Sequence, residues 1–160
     1  MHRPSNVDIE KNLRAILEAV EHIQKKITIV FSMHPRTRNR VKEFGLESKI
    51  ESMSNLKVIE PIGYFSFLNL MMNAKFVLTD SGGMQEETTV LSIPCLTMRD
   101  TTERPETVEE GTNKLVESDK ALIIQESENI LSGNFKTGTY PELWDGKAAL
   151  RIVKVLNDLA

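Results

Sequence analysis

A chain of 160 residues suits one domain and can bury a core without disulfides, since a domain of about 150 residues buries roughly 70% of its unfolded surface. Its 40% hydrophobic and 27% charged residues are ordinary for a globular protein, and a net charge of -3 with no long basic run excludes a nucleic-acid footprint. No apolar stretch approaches the ~18 residues of a membrane span and no signal peptide precedes the first charged residues, so the sequence predicts a cytoplasmic protein without a membrane partner.

In chain order, Asn6 or Asp8 is placed to cap a helix through Ile9, Leu13, Ile16, Leu17 and Val20. Ile27 to Met33 is a β-rich run that His34-Pro35 breaks, because proline lacks an amide donor and pushes the preceding residue out of the helical region. A short helix ends at Val41 to Phe44, with Gly45 as its C-cap. Leu56 to Ile59 is a second strand, Phe65 to Ala74 a helix, and Phe76 to Thr79 a third strand. A helix covers Met84 to Leu91 and a fourth strand Pro94 to Met98. Pro105 suits the first turn of a further helix. Lys114 to Val116 is a short strand, and two helices close the chain, about Lys120 to Leu131 and Gly146 to Leu159. Between them, Ser132 to Asp145 holds two glycines and one proline and is expected to form a mobile loop. The alternation predicts an α/β fold, a Rossmann-like parallel sheet with helices on both faces. Its opening strand is missing, because only a few residues precede the first helix. That suggests a chain cut inside a larger protein.

The strongest local signal is Thr79-Asp80-Ser81-Gly82-Gly83-Met84-Gln85-Glu86-Glu87, at a strand's carboxyl end where ligands of open α/β sheets bind. Paired glycines admit a phosphate close to the backbone, and helix N-terminal amides are unpaired donors reinforced by the helix dipole. Glu87 lies one turn inside that helix, where a carboxylate can accept from two ribose hydroxyls. The plainer alternative is a glycine turn with Ser81 as an N-cap. Arg99-Asp100-Thr101-Thr102-Glu103-Arg104-Pro105-Glu106 follows the adjacent strand and borders the same crevice, where arginine can donate to a diphosphate; composition alone favours a solvated charged loop. Phe67 can stack on a base, although an apolar residue at helical spacing is more often core. His2 and Arg3 stand at the ligand end of the missing strand. Cys95, the single cysteine, lies in an apolar run and reads as a buried inert thiol. His2, His22 and His34 match no zinc spacing, so no metal is expected, and no cofactor.

Together these pieces resemble the non-hydrolysing UDP-N-acetylglucosamine 2-epimerases, over essentially the whole chain. His2-Arg3-Pro4-Ser5-Asn6-Val7-Asp8 is similar to the family's His-Arg-x-Glu-Asn motif, and Thr79 through Glu87 to its nucleotide-binding turn. Arg99 through Glu106 is the most distinctive string. Gly111-Thr112-Asn113 and Asp145-Gly146-Lys147-Ala148-Ala149 extend the match. The resemblance implies the C-terminal, UDP-binding domain of a GT-B-like enzyme that interconverts UDP-GlcNAc and UDP-ManNAc by eliminating and re-adding UDP. It implies that Ser81, Gly82 and Gly83 donate to the diphosphate, Glu87 binds the ribose, Phe67 the uracil, and Arg104 lies by the nucleotide. His2 matches the family's essential histidine. Arg3 and His34 match positions that touch a second, activating UDP-GlcNAc in regulated members. The other readings are a UDP-sugar glycosyltransferase domain and a non-catalytic nucleotide-binding remnant.

Two departures from the family pattern carry expectations. Ser5 stands where the family has Glu, which weakens local support of His2. The N-terminal domain, which supplies acid–base groups in the family, is absent, so the isolated chain is expected to be inactive. Without its opening strand, the sheet would expose the edges of Ile27–Met33 and Phe76–Thr79. The two strands are expected to close on each other, or to accept a strand from another chain in a homo-oligomer, and in either case to disturb the site.

Overall fold

The computed structural model describes residues 1–159. Its elements run α1 (Pro4–Val7), α2 (Glu10–Ile23), β1 (Ile29–Ser32), α3 (Pro35–Glu43), α4 (Glu47–Glu51), β2 (Leu56–Ile59), α5 (Tyr64–Met72), β3 (Val77–Thr79), α6 (Gly82–Val90), β4 (Cys95–Thr97), α7 (Pro105–Glu109), β5 (Asn113–Leu115), α8 (Lys120–Leu131) and α9 (Ala148–Asp158). Each β-rich run of the sequence is a strand: Leu56–Ile59 matches to the residue, β1, β3 and β4 are trimmed by one or two residues at one or both ends, and β5 begins one residue earlier than expected. The helices sit between them as the periodicity requires; α4 is an addition that its five residues are too short to announce.

All strand pairs are parallel. β1 pairs with β2, Ile29 opposite Leu56; β3 pairs with β4, Val77 opposite Cys95; β4 pairs with β5, Cys95 opposite Asn113. These pairs form two separate sheets, β1-β2 and β3-β4-β5. The expected closure of β1 on β3 does not occur. Nor do residues 1–6 form a strand between them: Met1 to Arg3 are irregular and Pro4 begins a helix. The reason is the apolar filling on either side, which holds both half-sheets at their places. Leu96, Val116, Ile123, Ile16, Ala19 and Ile23 form one buried cluster, and Ile29 and Phe31 of β1 pack on it together with Leu78 of β3 and Met1.

α2 supplies much of that core. Leu13, Ile16, Leu17, Ala19, Val20 and Ile23 recur at helical spacing and are all buried. Burying a Leu or Ile side chain contributes about 1.5–3 kcal/mol, so this one face outweighs the helix's poor start. The expected cap is not made: Ile9 occupies the N-cap position, with no side-chain bond to the helix. Asn6 instead donates to the Met98 carbonyl at 2.8 Å. Asp8 pairs with Arg40 at 2.9 Å and with Arg36, tying the end of α1 to α3. Gly45 does end α3, at φ 64° in the left-handed region that a Cβ disfavours.

The segment Ser132 to Asp145 is irregular but anchored. Thr139 N–H donates to the Glu110 carbonyl at 2.8 Å and Tyr140 Oη to the Val90 carbonyl at 2.7 Å. Gly138 lies against Gly111 so closely that a Cβ on it would stand 2.5 Å from the Gly111 carbonyl carbon. α9 follows with no buried residue, its Ile152, Val153 and Leu156 facing solvent.

Candidate functional site at the carboxyl ends of the strands

The polypeptide turns at the carboxyl ends of β1, β3 and β4 converge on one edge of the molecule. α6 begins there with Ser81 in the N-cap position. Its side chain makes no capping bond, so the first-turn amides at Gly82, Gly83 and Met84 have no side-chain acceptor. The turn is braced from behind: Ser81 N–H donates to Thr79 Oγ1 at 3.1 Å. Gly83 has nothing within 4 Å of a would-be Cβ, and Gly82 has only the tips of Arg99 and Glu103. An uncapped N-terminus with open space over two glycines is a natural anion seat.

Arg99 borders that seat. Its Nη1 would lie 3.9 Å from a Cβ on Gly82. The guanidinium makes two 2.7 Å bonds to the Glu103 carboxylate. That pairing, first of all, drops the Glu103 carboxyl to about 2 and raises Arg99 above its usual value. Arg104 lies farther along, bonded through Nε to Glu86 at 2.6 Å. The charged string is therefore held in place by side-chain pairs, although Asp100, Thr101 and Glu103 to Glu106 are exposed. A buried polar network beneath it is the cause. Gln85 Oε1 accepts from Thr102 Oγ1 at 2.6 Å and from Asn113 Nδ2 at 2.9 Å, and Asn113 also accepts from Thr97 Oγ1 at 2.6 Å. Sequence reasoning passed over Gln85 and Asn113; a polar residue inside each recurring string, at a position turned to the core, was the available signal.

His2 and Arg3 enter from the other side. Asp80, fully buried at the end of β3, accepts both of their backbone N–H groups at 2.8 Å. Burial alone pushes the Asp80 carboxyl up. The Met1 amine, those two backbone donors and the nearby His2 ring outweigh it, leaving the carboxyl below its ordinary range. Arg3 Nε also donates to the Asp80 carbonyl at 3.2 Å. His2 Nδ1 lies 3.5 Å from Asp80 Oδ1, and the His2 ring is 5.4 Å from that of His34. His34 caps α3, its Nδ1 accepting from Arg36 N–H at 3.1 Å. Thus His2, Arg3, His34 and Ser81 share one edge despite their separation in sequence.

Glu87 and Phe67 are not brought together in the same way. Glu87 lines a cavity of about 380 Å³ between α5 and α6 with Tyr64, Leu68, Val90 and Trp144, whereas Phe67 sits half-buried on α5 outside it. Tyr64 and Trp144 are aromatic neighbours of Glu87 that the sequence did not single out. Cys95 is fully buried, and burial pushes its thiol up to about 11, so it is inert as expected.

The UDP-N-acetylglucosamine 2-epimerase family profile matches residues 1–157. The chain belongs to that family. A UDP-N-acetylglucosamine 2-epimerase of Methanocaldococcus jannaschii is 46% identical over 159 residues, 98% of this chain and 43% of the relative. One from Methanococcus maripaludis is 43% identical over 136 residues, 84% of this chain and 37% of the relative. A crystal structure of the Methanocaldococcus jannaschii epimerase in complex with UDP-GlcNAc and UDP superposes with a TM-score of 0.83 at 45% identity, covering 98% of this chain and 43% of that one. The chain therefore spans less than half the length of the epimerases it matches, and corresponds to their C-terminal part.

Proposed function

We infer that this chain is the UDP-binding domain of a two-domain enzyme that interconverts UDP-GlcNAc and UDP-ManNAc in the cytoplasm. The observation that supports it best is the uncapped start of α6, flanked by Arg99 on one side and by His2 and Arg3 on the other. A diphosphate seated there meets the Ser81 hydroxyl and the backbone donors at Gly82 and Gly83. Glu87 takes the ribose hydroxyls, Phe67 the uracil, and Arg104 stands beside the nucleotide. His2 reaches the phosphates or the sugar. In the reaction, a base removes the proton at C2 and UDP departs from C1, leaving 2-acetamidoglucal; UDP then re-adds at C1 while an acid returns a proton to the opposite face of C2. Preorganised donors at the departing diphosphate lower the barrier to that departure. Arg3 and His34 touch a second UDP-GlcNAc in this reading.

The acid–base groups for C2 belong to the other domain, so the isolated chain binds UDP without turning over UDP-GlcNAc. Calorimetric titration of the chain with UDP and with ADP tests the nucleotide site. Measurable, stronger binding of UDP is expected, and equal affinity for the two would defeat the assignment of a uracil pocket. Epimerisation by this polypeptide alone would defeat the division of labour.

A further inference from the structure

Asp80 engages its two carboxylate oxygens unequally. Oδ2 accepts the backbone N–H of His2 and of Arg3 at 2.8 Å each. Oδ1 is buried and has no hydrogen-bond partner. A carboxylate oxygen sealed from water without a donor is costly. Two nitrogens approach it, His2 Nδ1 at 3.5 Å and the Met1 amine at 3.8 Å. The other polar neighbours are spent elsewhere. Arg3 Nε donates to the Asp80 carbonyl at 3.2 Å, and Asn6 Nδ2 to the Met98 carbonyl at 2.8 Å.

The ring nitrogen is the better placed of the two. The backbone of His2 is already pinned to the same carboxylate, so a small turn of its side chain brings Nδ1 within an ordinary hydrogen bond of about 2.9 Å. The His2 side chain is 50% exposed and that of Asp80 only 1%. Nδ1 therefore faces the closed side, and Nε2, across the ring, the open one. His34 flanks the same ring at 5.4 Å, and its own Nδ1 accepts from Arg36 N–H at 3.1 Å. Neutral His34 thus carries its proton on Nε2. So does neutral His22, whose Nε2 meets the Glu128 carboxylate at 3.0 Å.

We propose that Asp80 is the positioning residue of His2: Oδ2 fixes its backbone, and Oδ1 fixes the neutral ring with its proton on Nδ1, so that Nε2 is the nitrogen open to the ligand. The proton position follows from the partner. An ionised carboxylate only accepts, so the nitrogen facing it must donate. His2 is then the exception among the three histidines of the chain. A diphosphate that reaches this edge meets Nε2, which takes a proton from solvent and donates it to a phosphate oxygen, while Asp80 balances the charge of the imidazolium. The ligand half of this inference rests on the nucleotide reading above; the state of the ring does not.

Two-bond proton–nitrogen spectra of the full 160-residue chain, labelled with nitrogen-15, distinguish protonated from bare ring nitrogens. They are recorded at about pH 9, above the ordinary values of histidine and of an α-amine. The proton is expected on Nδ1 of His2 and on Nε2 of His22 and His34. Asp80→Asn is the discriminating variant. The two backbone N–H groups hold its amide oxygen, its NH₂ faces Nδ1 and donates, and the His2 proton moves to Nε2. A carboxylate that merely held the backbone would leave the ring unaffected by this change. Nε2–H on His2 in the parent overturns the proposal without need of the variant, and so does a ring unaltered by Asp80→Asn. At about pH 7, added UDP should protonate His2 Nε2 with Nδ1 little changed, and Asp80→Asn should bind UDP about tenfold more weakly. If the protons sit as expected but UDP moves neither nitrogen, the nucleotide reading of this edge falls, and the ligand half of the inference falls with it.

Discussion

Asp80 accepts the backbone N–H of His2 at 2.8 Å, and through that one bond the candidate site and the split sheet become a single problem. The same carboxylate oxygen holds Arg3 N–H, and Asn6 reaches it more loosely at 3.4 Å. Charge-assisted bonds to a buried carboxylate are roughly twice as strong as neutral ones. Asp80→Ala should therefore release residues 1–3 and destabilise the chain by about 2–4 kcal/mol, because two backbone donors lose their acceptor. Urea unfolding measures the loss. A midpoint within error of the parent would show that the clasp contributes nothing.

Acid should weaken the fold in a defined window. Asp8, paired with Arg36 and Arg40, and Glu103, paired with Arg99, both have carboxyl groups lowered to about 2. A carboxyl depressed by folding contributes stability that is present above its unfolded value, near 4, and is lost as pH falls towards its folded value. Both pairs are exposed, so each contribution is small and salt-sensitive. The melting temperature should hold from pH 7 to about 5 and decline below about 4. The double variant D8N/E103Q should start lower at pH 7 and decline less on acidification. Identical acid slopes for parent and variant would exclude these pairs.

Gln85, Asn113, Thr97 and Thr107 form a buried cluster of side-chain hydrogen bonds that reaches the half-buried Thr102 and through it the Arg99–Glu106 string. Networks of this kind lose more than one bond when a member is removed. Asn113→Leu takes the acceptor from Thr97 Oγ1 while Gln85 keeps Thr102 and Thr107 keeps the Arg104 carbonyl, and should cost about 1–3 kcal/mol for the one unsatisfied group. Gln85→Leu should cost a similar amount. The double variant should cost less than the sum, since the Gln85–Asn113 bond is lost only once. Strict additivity in a double-mutant cycle would show the two residues to be independent.

The extent to which sequence foretold this molecule divides along a physical line. Strand and helix order was legible, because periods of two and about 3.6 are properties of the local chain. Leu56–Ile59 and Lys120–Leu131 match the expected ranges to the residue. The glycine turn was legible for the same reason, since Ser81 to Met84 need only their neighbours to start a helix. What local pattern could not convey was who accepts from whom across the chain. Asn6 and Asp8 look like helix caps by type, yet their partners are Met98, Arg36 and Arg40. Likewise Asp80 is an acid beside two glycines until the fold places residues 2 and 3 over it. The expectation that β1 and β3 close together failed because it weighed unpaired amides and not the side chains beneath them, which keep the half-sheets apart.

Close backbone approach explains a glycine that the family resemblance singled out only as a string. A Cβ on Gly111 would stand 2.6 Å from Thr89 Oγ1 and 2.7 Å from the Thr107 carbonyl. Gly111→Ala should destabilise by about 1–3 kcal/mol through overpacking, and should detach the Gly138 segment that rests on it. Thermal unfolding measures the first effect, and faster proteolysis between Ser132 and Asp145 the second. A parent-like melting temperature would mean that the backbone yields at no cost.

Gly83 offers the opposite test, because nothing occupies the space its Cβ would take. It lies at the second position of α6, where alanine is the better helix former by about 0.5–1 kcal/mol. On the apo chain Gly83→Ala should therefore be neutral or slightly stabilising. If a diphosphate sits against the first-turn amides, the new methyl group falls where phosphate oxygens approach the backbone. UDP and pyrophosphate should then both lose affinity, by about tenfold or more, which corresponds to roughly 1.4 kcal/mol. Glu87→Ala should separate the ligands instead: it removes an acceptor that only a ribose can use, so UDP weakens and pyrophosphate does not. Calorimetry of both variants with both ligands gives four affinities that distinguish the roles. If Gly83→Ala is as stable as the parent and binds pyrophosphate as well as the parent does, the start of α6 is not the phosphate seat.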